Sequence, residues 1–222
     1  GISGMDARTI AGWAKASTTD IPSWTTVFGF APDSSIDGTY FDIEVDDAGN
    51  YVIYVGGWEA IFCAVDTQWH HFAATYDGSG GSRYLDGQLI DRDEGAIGTI
   101  DEVRIGVRLS NTNYFPGLID DVRIYNKALT LSEIKKLVAG SKAYDPIPAD
   151  GALYEDTVSD AAEPALVGWW AFDETSGTTA YDSSGHGNHG TLQGDPQWVA
   201  GWTGGALELD GDGDCVNVGS VG

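Results

Sequence analysis

Three acidic residues alternate with two apolar ones at residues 42–46, which read Asp-Ile-Glu-Val-Asp. In a β-strand, residues two apart lie on the same face at a spacing of about 6.6 Å. Asp42, Glu44 and Asp46 would therefore share one side of a strand, and this is the most enzyme-like pattern in the chain. The more ordinary interpretation is an exposed hairpin face on an acidic protein.

Residues 210–214 form a second oxygen-rich pattern, Asp-Gly-Asp-Gly-Asp. Such a run resembles a calcium-binding loop, because Ca²⁺ prefers carboxylate and carbonyl oxygens. It lacks the spaced glutamate of an EF-hand loop, so a hairpin turn is the favoured interpretation.

Imidazole and thiol groups form no recognisable site. The four histidines lie at 70–71, 186 and 189 without a Ser/His/Asp pattern, and we interpret them as structural or solvent-facing. Cys63 and Cys215 lack the spacing of a zinc site. They are either two buried thiols or, in an oxidising compartment, a bridge that closes a long loop.

Tryptophan is abundant, with 8 residues in the chain. Large aromatic side chains are more often core residues than ligand platforms. Those that lie within strand patterns are interpreted as core, namely Trp13, Trp69, Trp169 and Trp170. Those that flank loops could stack on sugar rings, namely Trp24, Trp58, Trp198 and Trp202.

The charge balance excludes several partners. The chain has 11 Lys and Arg against 34 Asp and Glu, a formal net charge of −23. This field repels nucleic acid and anionic membrane surfaces, and it attracts cations such as Ca²⁺. No apolar run approaches 18 residues and no signal peptide is visible, so we expect no membrane insertion.

Short strands separated by turn residues dominate the chain. With 31 Gly, 8 Trp and 10 Tyr in 222 residues, the composition favours an all-β fold. Alternation over 117–125 predicts that Ile119 lies on the face opposite to Val122 and Ile124. The predicted strands are 9–16, 39–45, 51–55, 71–76, 83–85, 88–90, 117–125, 167–172, 206–209 and 215–218.

One short helix is predicted at about 130–139. Thr130 and Glu133 match a capping box, and an apolar stripe follows and ends at Gly140. Residues 141–165 have no sustained period and are rich in Pro, Ala and acids, which is typical of a linker.

Several motifs together resemble a bacterial laminin G-like domain of the concanavalin A-like lectin/glucanase superfamily. The opening third of that domain is matched by Val-Gly-Trp-Trp-Ala-Phe-Asp-Glu at 167–174 and by runs at 182–188 and 205–211. The other two thirds are matched by runs at 10–15, 69–78, 85–87 and 117–129. The resemblance implies a two-sheet antiparallel jelly-roll sandwich.

The order of these motifs differs from that of the family, because the opening third comes last. Residues 1–140 correspond to the carboxy-terminal two thirds, 141–165 to an acidic Pro/Ala linker, and 166–222 to the amino-terminal third. The chain is thus either circularly permuted or one period of a repeat cut in mid-domain. Residues 166–222 would complete the sandwich of the same chain or of the next copy.

The resemblance also implies a calcium site between the family's first and last strands. The matching strand position is Asp120, and the oxygen donors from the other part are Asp173, Glu174, Asp182 and Asn188. The alternative for Asp120 is a strand-end residue that bonds a neighbouring loop.

Glucanases of the superfamily use a Glu-x-Asp-x-Glu run, and residues 42–46 have the reversed order, so we expect no catalysis. The sequence predicts a non-catalytic, extracellular or cell-surface, calcium-binding sandwich that acts as a structural or adhesive repeat of a surface or filament protein. The alternatives are a carbohydrate-binding module and an acidic glucanase-like glycosidase. Expected partners are head-to-tail copies of the chain, a glycan or a surface protein, and not nucleic acid.

Overall fold

A computed structural model of the chain describes residues 6–31, 41–55, 58–93, 102–108, 112–140 and 165–221. Apolar residues alternate with polar ones over short runs, which fits strands with one buried face. The elements are β1 (Arg8–Ala16), β2 (Thr25–Ala31), β3 (Phe41–Val45), β4 (Asn50–Val55), β5 (Trp58–Ala64), β6 (His70–Tyr76), β7 (Gly81–Leu85), β8 (Gln88–Asp93), β9 (Glu102–Ile105), β10 (Pro116–Tyr125), α1 (Leu131–Gly140), β11 (Leu166–Trp170), β12 (Thr179–Ala180), β13 (Gly190–Gln193), β14 (Gln197–Ala200), β15 (Gly205–Asp210) and β16 (Cys215–Gly219).

The strands form two antiparallel sheets, and the predicted all-β sandwich with one short helix is confirmed. Sheet I has the order β14-β15-β10-β1-β6-β7-β8, and β11 also pairs with β10. Sheet II has the order β12-β13-β16-β9-β2-β3-β4-β5. The two sheets enclose one apolar core that includes Ile10, Phe28, Ile43, Phe72 and Trp170.

The alternation predicted for β10 is wrong at its centre. Ile119, Val122 and Ile124 all belong to the core between the sheets, although strict alternation would separate the first from the other two. The pairing of β10 with β1 is interrupted at this point, and Asp121 adopts φ 53°. A β-bulge inserts residues into one strand and so reverses the alternation beyond it.

The helix begins at the predicted capping box. Thr130 N–H donates to Glu133 Oε2 at 2.7 Å, and Glu133 N–H donates to Thr130 Oγ1 at 3.3 Å. Ile134 of α1 is fully buried. It packs in a second apolar cluster, on the outside of sheet I, that includes Ala11 and Tyr125. In the described ranges, no helix has the length and apolar character needed to cross a membrane.

Strands from the carboxy-terminal part pair with strands from the amino-terminal part in both sheets. β15 and β11 share one edge of β10, and β16 pairs with β9. Of the predicted linker, residues 141–164 lie outside the described residues. The division into two parts of a reordered domain stays a prediction.

Candidate functional site

Asp42 and Glu44 lie on the side of β3 that faces away from the core, since Phe41, Ile43 and Val45 pack between the sheets. Both acids are nevertheless buried, with 1% and 2% of their surface exposed. The prediction of an exposed hairpin face is therefore wrong, since Asp46 is buried as well, with 4% of its surface exposed. Alternation along a strand determines which residues share a face, but not whether distant residues cover that face.

Asp46 differs from Asp42 and Glu44 in its hydrogen bonds. It follows the last residue of β3, and its carboxylate accepts hydrogen bonds from the N–H groups of Ala48 and Asn50 at 2.9 and 2.8 Å. Burial alone would raise the pKa of Asp46, but these bonds and one from the Asn50 side chain lower it. The third carboxylate of the run thus organises the β3–β4 turn.

Burial raises the pKa of Asp42 and of Glu44, and the carboxyl group of Asp42 raises that of Glu44 further. Thr26 Oγ1 donates to Asp42 Oδ2 at 2.9 Å, and Arg108 Nη1 lies 3.9 Å from Glu44 Oε2. Within the described ranges, Asp42 Oδ1 and Glu44 Oε1 have no hydrogen-bond partner. These conditions favour the neutral acids, whereas a glycosidase needs one ionised carboxylate as nucleophile or base.

Trp24 lies beside this acid pair with an unusual backbone conformation. Its φ is 64°, a region that is sterically unfavourable for a bulky side chain. Its N–H donates to Val45 O at 2.6 Å, and the Asn113 side chain donates to the preceding carbonyl, of Ser23, at 2.8 Å. The surrounding loops therefore hold the backbone of Trp24 in this conformation, and its side chain is half-buried.

Arg108 and Tyr54 complete the surroundings of Trp24. The Arg108 guanidinium carbon lies 5.8 Å from the centre of the indole ring, and Nη1 donates to Trp24 O at 3.4 Å. The Tyr54 ring meets the indole edge to face, with centroids 6.3 Å apart. Sequence reasoning identified Trp24 as a loop tryptophan but missed Arg108, which is distant in the chain and belongs to no motif.

Asp120 lies at the bulge of β10 and is fully buried. Its Oδ2 accepts from Thr203 N–H at 3.0 Å, while Oδ1 has no hydrogen-bond partner among the described residues. Burial raises the pKa of Asp120 to about 7, and the carboxylates of Asp121 and Asp173 act in the same direction. An oxygen that is buried without a donor is unfavourable and fits a bound cation.

Asp173 approaches this region from the other part of the chain, and Glu174 is the next residue along that chain. Asp173 Oδ1 accepts from Gly205 N–H at 2.7 Å, and Glu174 Oε1 accepts from Tyr181 N–H at 2.8 Å. Glu174 Oε2 is buried and, among the described residues, has no hydrogen-bond partner. Gly204 has φ 65°, and a Cβ there would collide with the Asp173 carboxylate.

Asp182 and Asn188 lie together in a separate loop. The Asp182 carboxylate accepts from the N–H groups of Trp169, Ser184 and Asn188 at 2.9–3.0 Å. The Asn188 side chain donates to Val167 O at 2.8 Å, and the main-chain carbonyl of Asn188 accepts from the Trp170 indole at 2.9 Å. These bonds fix the loop against β11.

A third group of carboxylates was only partly anticipated. Asp195, Asp210 and Asp214 have oxygens within 4.8 Å of one another and could bind a metal ion. Both oxygens of Asp214 accept backbone hydrogen bonds, from Asp195 at 2.7 Å and from Asp210 at 3.2 Å. The sequence indicated residues 210–214 as a turn, and they do connect β15 to β16, but Asp195 carried no signal.

The remaining candidate residues have structural contacts. His70 bonds Asp86 at 2.9 Å and Asp66 at 3.3 Å, and His71 is buried. Cys63 and Cys215 are both free.

One loop tryptophan packs against a tryptophan of a strand. Trp202 stacks on Trp13 with ring centroids 4.4 Å apart. Trp198 packs against the core between the sheets, and its indole N–H donates to Gly177 O at 3.1 Å. Trp24, in contrast, contacts the guanidinium of Arg108.

Two curated mammalian proteins are similar to part of the chain. The "Sushi, von Willebrand factor type A, EGF and pentraxin domain-containing protein 1" of Rattus norvegicus is 26% identical over 152 residues. The Mus musculus protein of the same name is 27% identical over 152 residues. Each alignment covers 61% of this chain, and the chain spans about 4% of the length of either relative.

Solved structures share the fold at low identity. A protein from Bacteroides ovatus, described as a candidate carbohydrate binding protein, has a TM-score of 0.58 at 18% identity and covers 82% of this chain and 51% of that one. Trypanosoma rangeli sialidase with 2,3-difluorosialic acid has a TM-score of 0.52 at 19% identity and covers 63% and 23%. A laminin G family model described as the concanavalin A-like lectin/glucanases superfamily matches residues 3–135. The chain therefore belongs to the concanavalin A-like lectin/glucanases superfamily, as a laminin G-type domain.

Proposed function

We propose that this chain is a non-catalytic carbohydrate-binding module that holds the sugar against Trp24. The observation that carries the proposal is the strained φ of 64° at Trp24, which nearby loops maintain through several contacts. Backbone strain is concentrated at functional sites, where the rest of the structure compensates for it. An indole held in this way offers a flat apolar surface to the C–H face of a sugar ring.

Polar groups around the indole suit a polyhydroxylated ligand. Arg108 lies over the ring and can donate hydrogen bonds, and Tyr54 stands at its edge. Ligand sites in proteins combine apolar walls with a few placed polar groups. The same arrangement argues against hydrolysis, since Asp46 is bound to its turn and burial disfavours the ionised carboxylate that hydrolysis needs at both Asp42 and Glu44.

Affinity electrophoresis through gels that contain plant and bacterial polysaccharides tests this function. We expect at least one polysaccharide to retard the protein and to remain intact during prolonged incubation. Trp24→Ala should weaken retardation about tenfold or more. Tyr181→Ala is the matched control, because Tyr181 is an aromatic residue that is 57% exposed elsewhere on the surface.

Two results would contradict the proposal. One is a Trp24→Ala variant that migrates as the parent does in every gel. The other is release of reducing sugar that disappears in Glu44→Gln, which would establish the glycosidase alternative.

We further propose that Ca²⁺ stabilises the fold through Asp120, Asp173 and Glu174. The support is the buried Oδ1 of Asp120 and the buried Oε2 of Glu174, which have no hydrogen-bond partner among the described residues. Carboxylate oxygens from distant parts of the chain are typical Ca²⁺ ligands. Asp182 and Asn188 enter the proposal as residues that fix the neighbouring loop.

The place of action that we propose is the cell surface or the extracellular space. Calcium sites of extracellular modules have dissociation constants of about 10⁻⁴–10⁻³ M and are filled there. The expected role is that of an adhesive module.

We also propose that residues 1–140 and 166–222 are the two parts of one laminin G-like sandwich in permuted order, joined by residues 141–165. The support is the pairing of β15 and β11 with β10, and of β16 with β9. A head-to-tail arrangement of copies would use the same pairing between two chains.

A further inference from the structure

We infer that the carboxy-terminal segment, residues 165–221, can be exchanged between copies of this chain. The amino-terminal body, residues 6–140, would then bind the segment of a second copy. The inference rests on the proposed permuted domain and adds a mode of self-association to it.

The interface consists of strand edges in both sheets. In sheet I, β10 accepts β15 along Pro116–Ile119 and β11 along Val122–Tyr125. In sheet II, β9 accepts β16 opposite Val103–Ile105. Without the segment, the body would present the free edges of β10 and β9 at once, and free edges recruit further strands.

The segment also supplies part of the core. Trp170, Leu207 and Val216 are fully buried and pack in the same cluster as Ile105 and Val122 of the body. An interface of this kind resembles a domain core cut in half, which is the character of obligate assemblies. The body is therefore incomplete until some copy of the segment is bound.

The linker between the body and the segment does not determine whether the bound segment comes from the same chain or from another copy. Leu137 at the end of the body and Ala165 at the start of the segment both pack against the cluster beneath α1. The intervening residues could extend to about 80 Å, far more than two ends on one cluster require. Closure on the same chain is intramolecular, so it dominates in dilute solution, and exchange competes with it only at high chain concentration.

Exchange should therefore appear when a chain cannot use its own segment, or when chains refold together at millimolar concentration. A segment-defective full chain carries Leu207→Asp and Trp170→Ala. A body-defective full chain carries Ile105→Asp and Val122→Asp. Neither should fold alone, because each change places a charge or a cavity in the core.

The two chains are mixed in denaturant, refolded together and analysed by light scattering, circular dichroism and thermal unfolding. We expect a 1:1 complex with a single cooperative transition, which is absent from each chain alone. A chain with all four substitutions is the control and should not rescue the segment-defective chain. A mixture that stays unfolded like its components overturns the inference.

A second measurement uses the unaltered chain with donor and acceptor dyes. Chains refolded together at about 1 mM should give dimers with energy transfer after dilution, and chains refolded at about 1 μM should give monomers. Monomers at both concentrations count against exchange. A segment-defective chain that folds alone would instead refute the permuted domain itself, so the two failures are distinguishable.

Discussion

At the scale of single residues, the buried acids of β3 show how burial changes chemistry that alternation alone suggests. Asp42, Glu44 and Asp46 are equally spaced in the sequence. Burial raises the pKa values of Asp42 and Glu44, whereas the pKa of Asp46 is lowered because the turn donates hydrogen bonds to its carboxylate. Folding thus shifts the pKa values of neighbouring carboxyl groups in opposite directions within one short run.

This difference predicts a dependence of stability on pH. A carboxyl group whose pKa is raised by folding contributes stability below its unfolded pKa of about 4, and the contribution is lost as the pH rises through the folded pKa. Glu44→Gln mimics the neutral acid. We expect the variant and the parent to unfold with similar free energies at pH 4–5, and the variant to be more stable than the parent at pH 9.

Urea unfolding at several pH values provides the measurement. Glu208→Gln, at an exposed position of β15, is the matched control and should leave the difference near zero. Equal pH profiles for Glu44→Gln and the parent would contradict the raised pKa of Glu44.

At the scale of elements, the helix and the hairpins follow local rules. Thr130 and Glu133 form the capping box that their spacing predicted. The 46–50 turn joins β3 to β4 as a hairpin, with Asp46 N–H bonded to Asn50 O at 2.9 Å. These features depend on residues within a few positions of one another.

The cap should contribute measurably to stability, because α1 covers the cluster around Ile134. Thr130→Ala removes the oxygen that accepts from Glu133 N–H, which should destabilise the domain by about 1 kcal/mol. Ser132→Ala, exposed in the same turn, is the control for helix propensity. Denaturation midpoints that coincide for Thr130→Ala and Ser132→Ala would show that the cap is dispensable.

At the scale of the whole molecule, the proposed calcium site would link the two parts of the chain. Asp120 belongs to β10, whereas Asp173 and Glu174 follow β11. An ion held by all three residues would bind the closed sandwich and not the unfolded chain. Free Ca²⁺ at 100 times its dissociation constant should then stabilise the fold by about 2.7 kcal/mol.

Thermal unfolding with Ca²⁺ and with EDTA tests this expectation. The melting temperature should fall in EDTA, and Asp120→Asn should abolish the response to Ca²⁺. Asp195→Asn alters the other acidic group and should preserve the response. The opposite outcome, with the response lost only in Asp195→Asn, would place the ion at Asp195, Asp210 and Asp214 instead.

The sequence by itself determined the features that depend on short spacing. Alternating patterns indicated the strands, turn residues indicated the hairpins, and the capping box located the helix. A period of two or of 3.6 residues is a local property, so it can be recognised without knowledge of the partner strands.

Only the tertiary structure decided the features that depend on contacts across the chain. No local pattern relates the residues that meet in three places. These are the burial of Asp42 and Glu44, the bulge at Asp120, and the contact of Arg108 with Trp24. The hydrogen bond from Thr203 N–H to Asp120 spans 83 positions. Such contacts arise from how two twisted sheets pack on one another, because burial and hydrogen-bond partners at a site are determined by whichever strands and loops meet there.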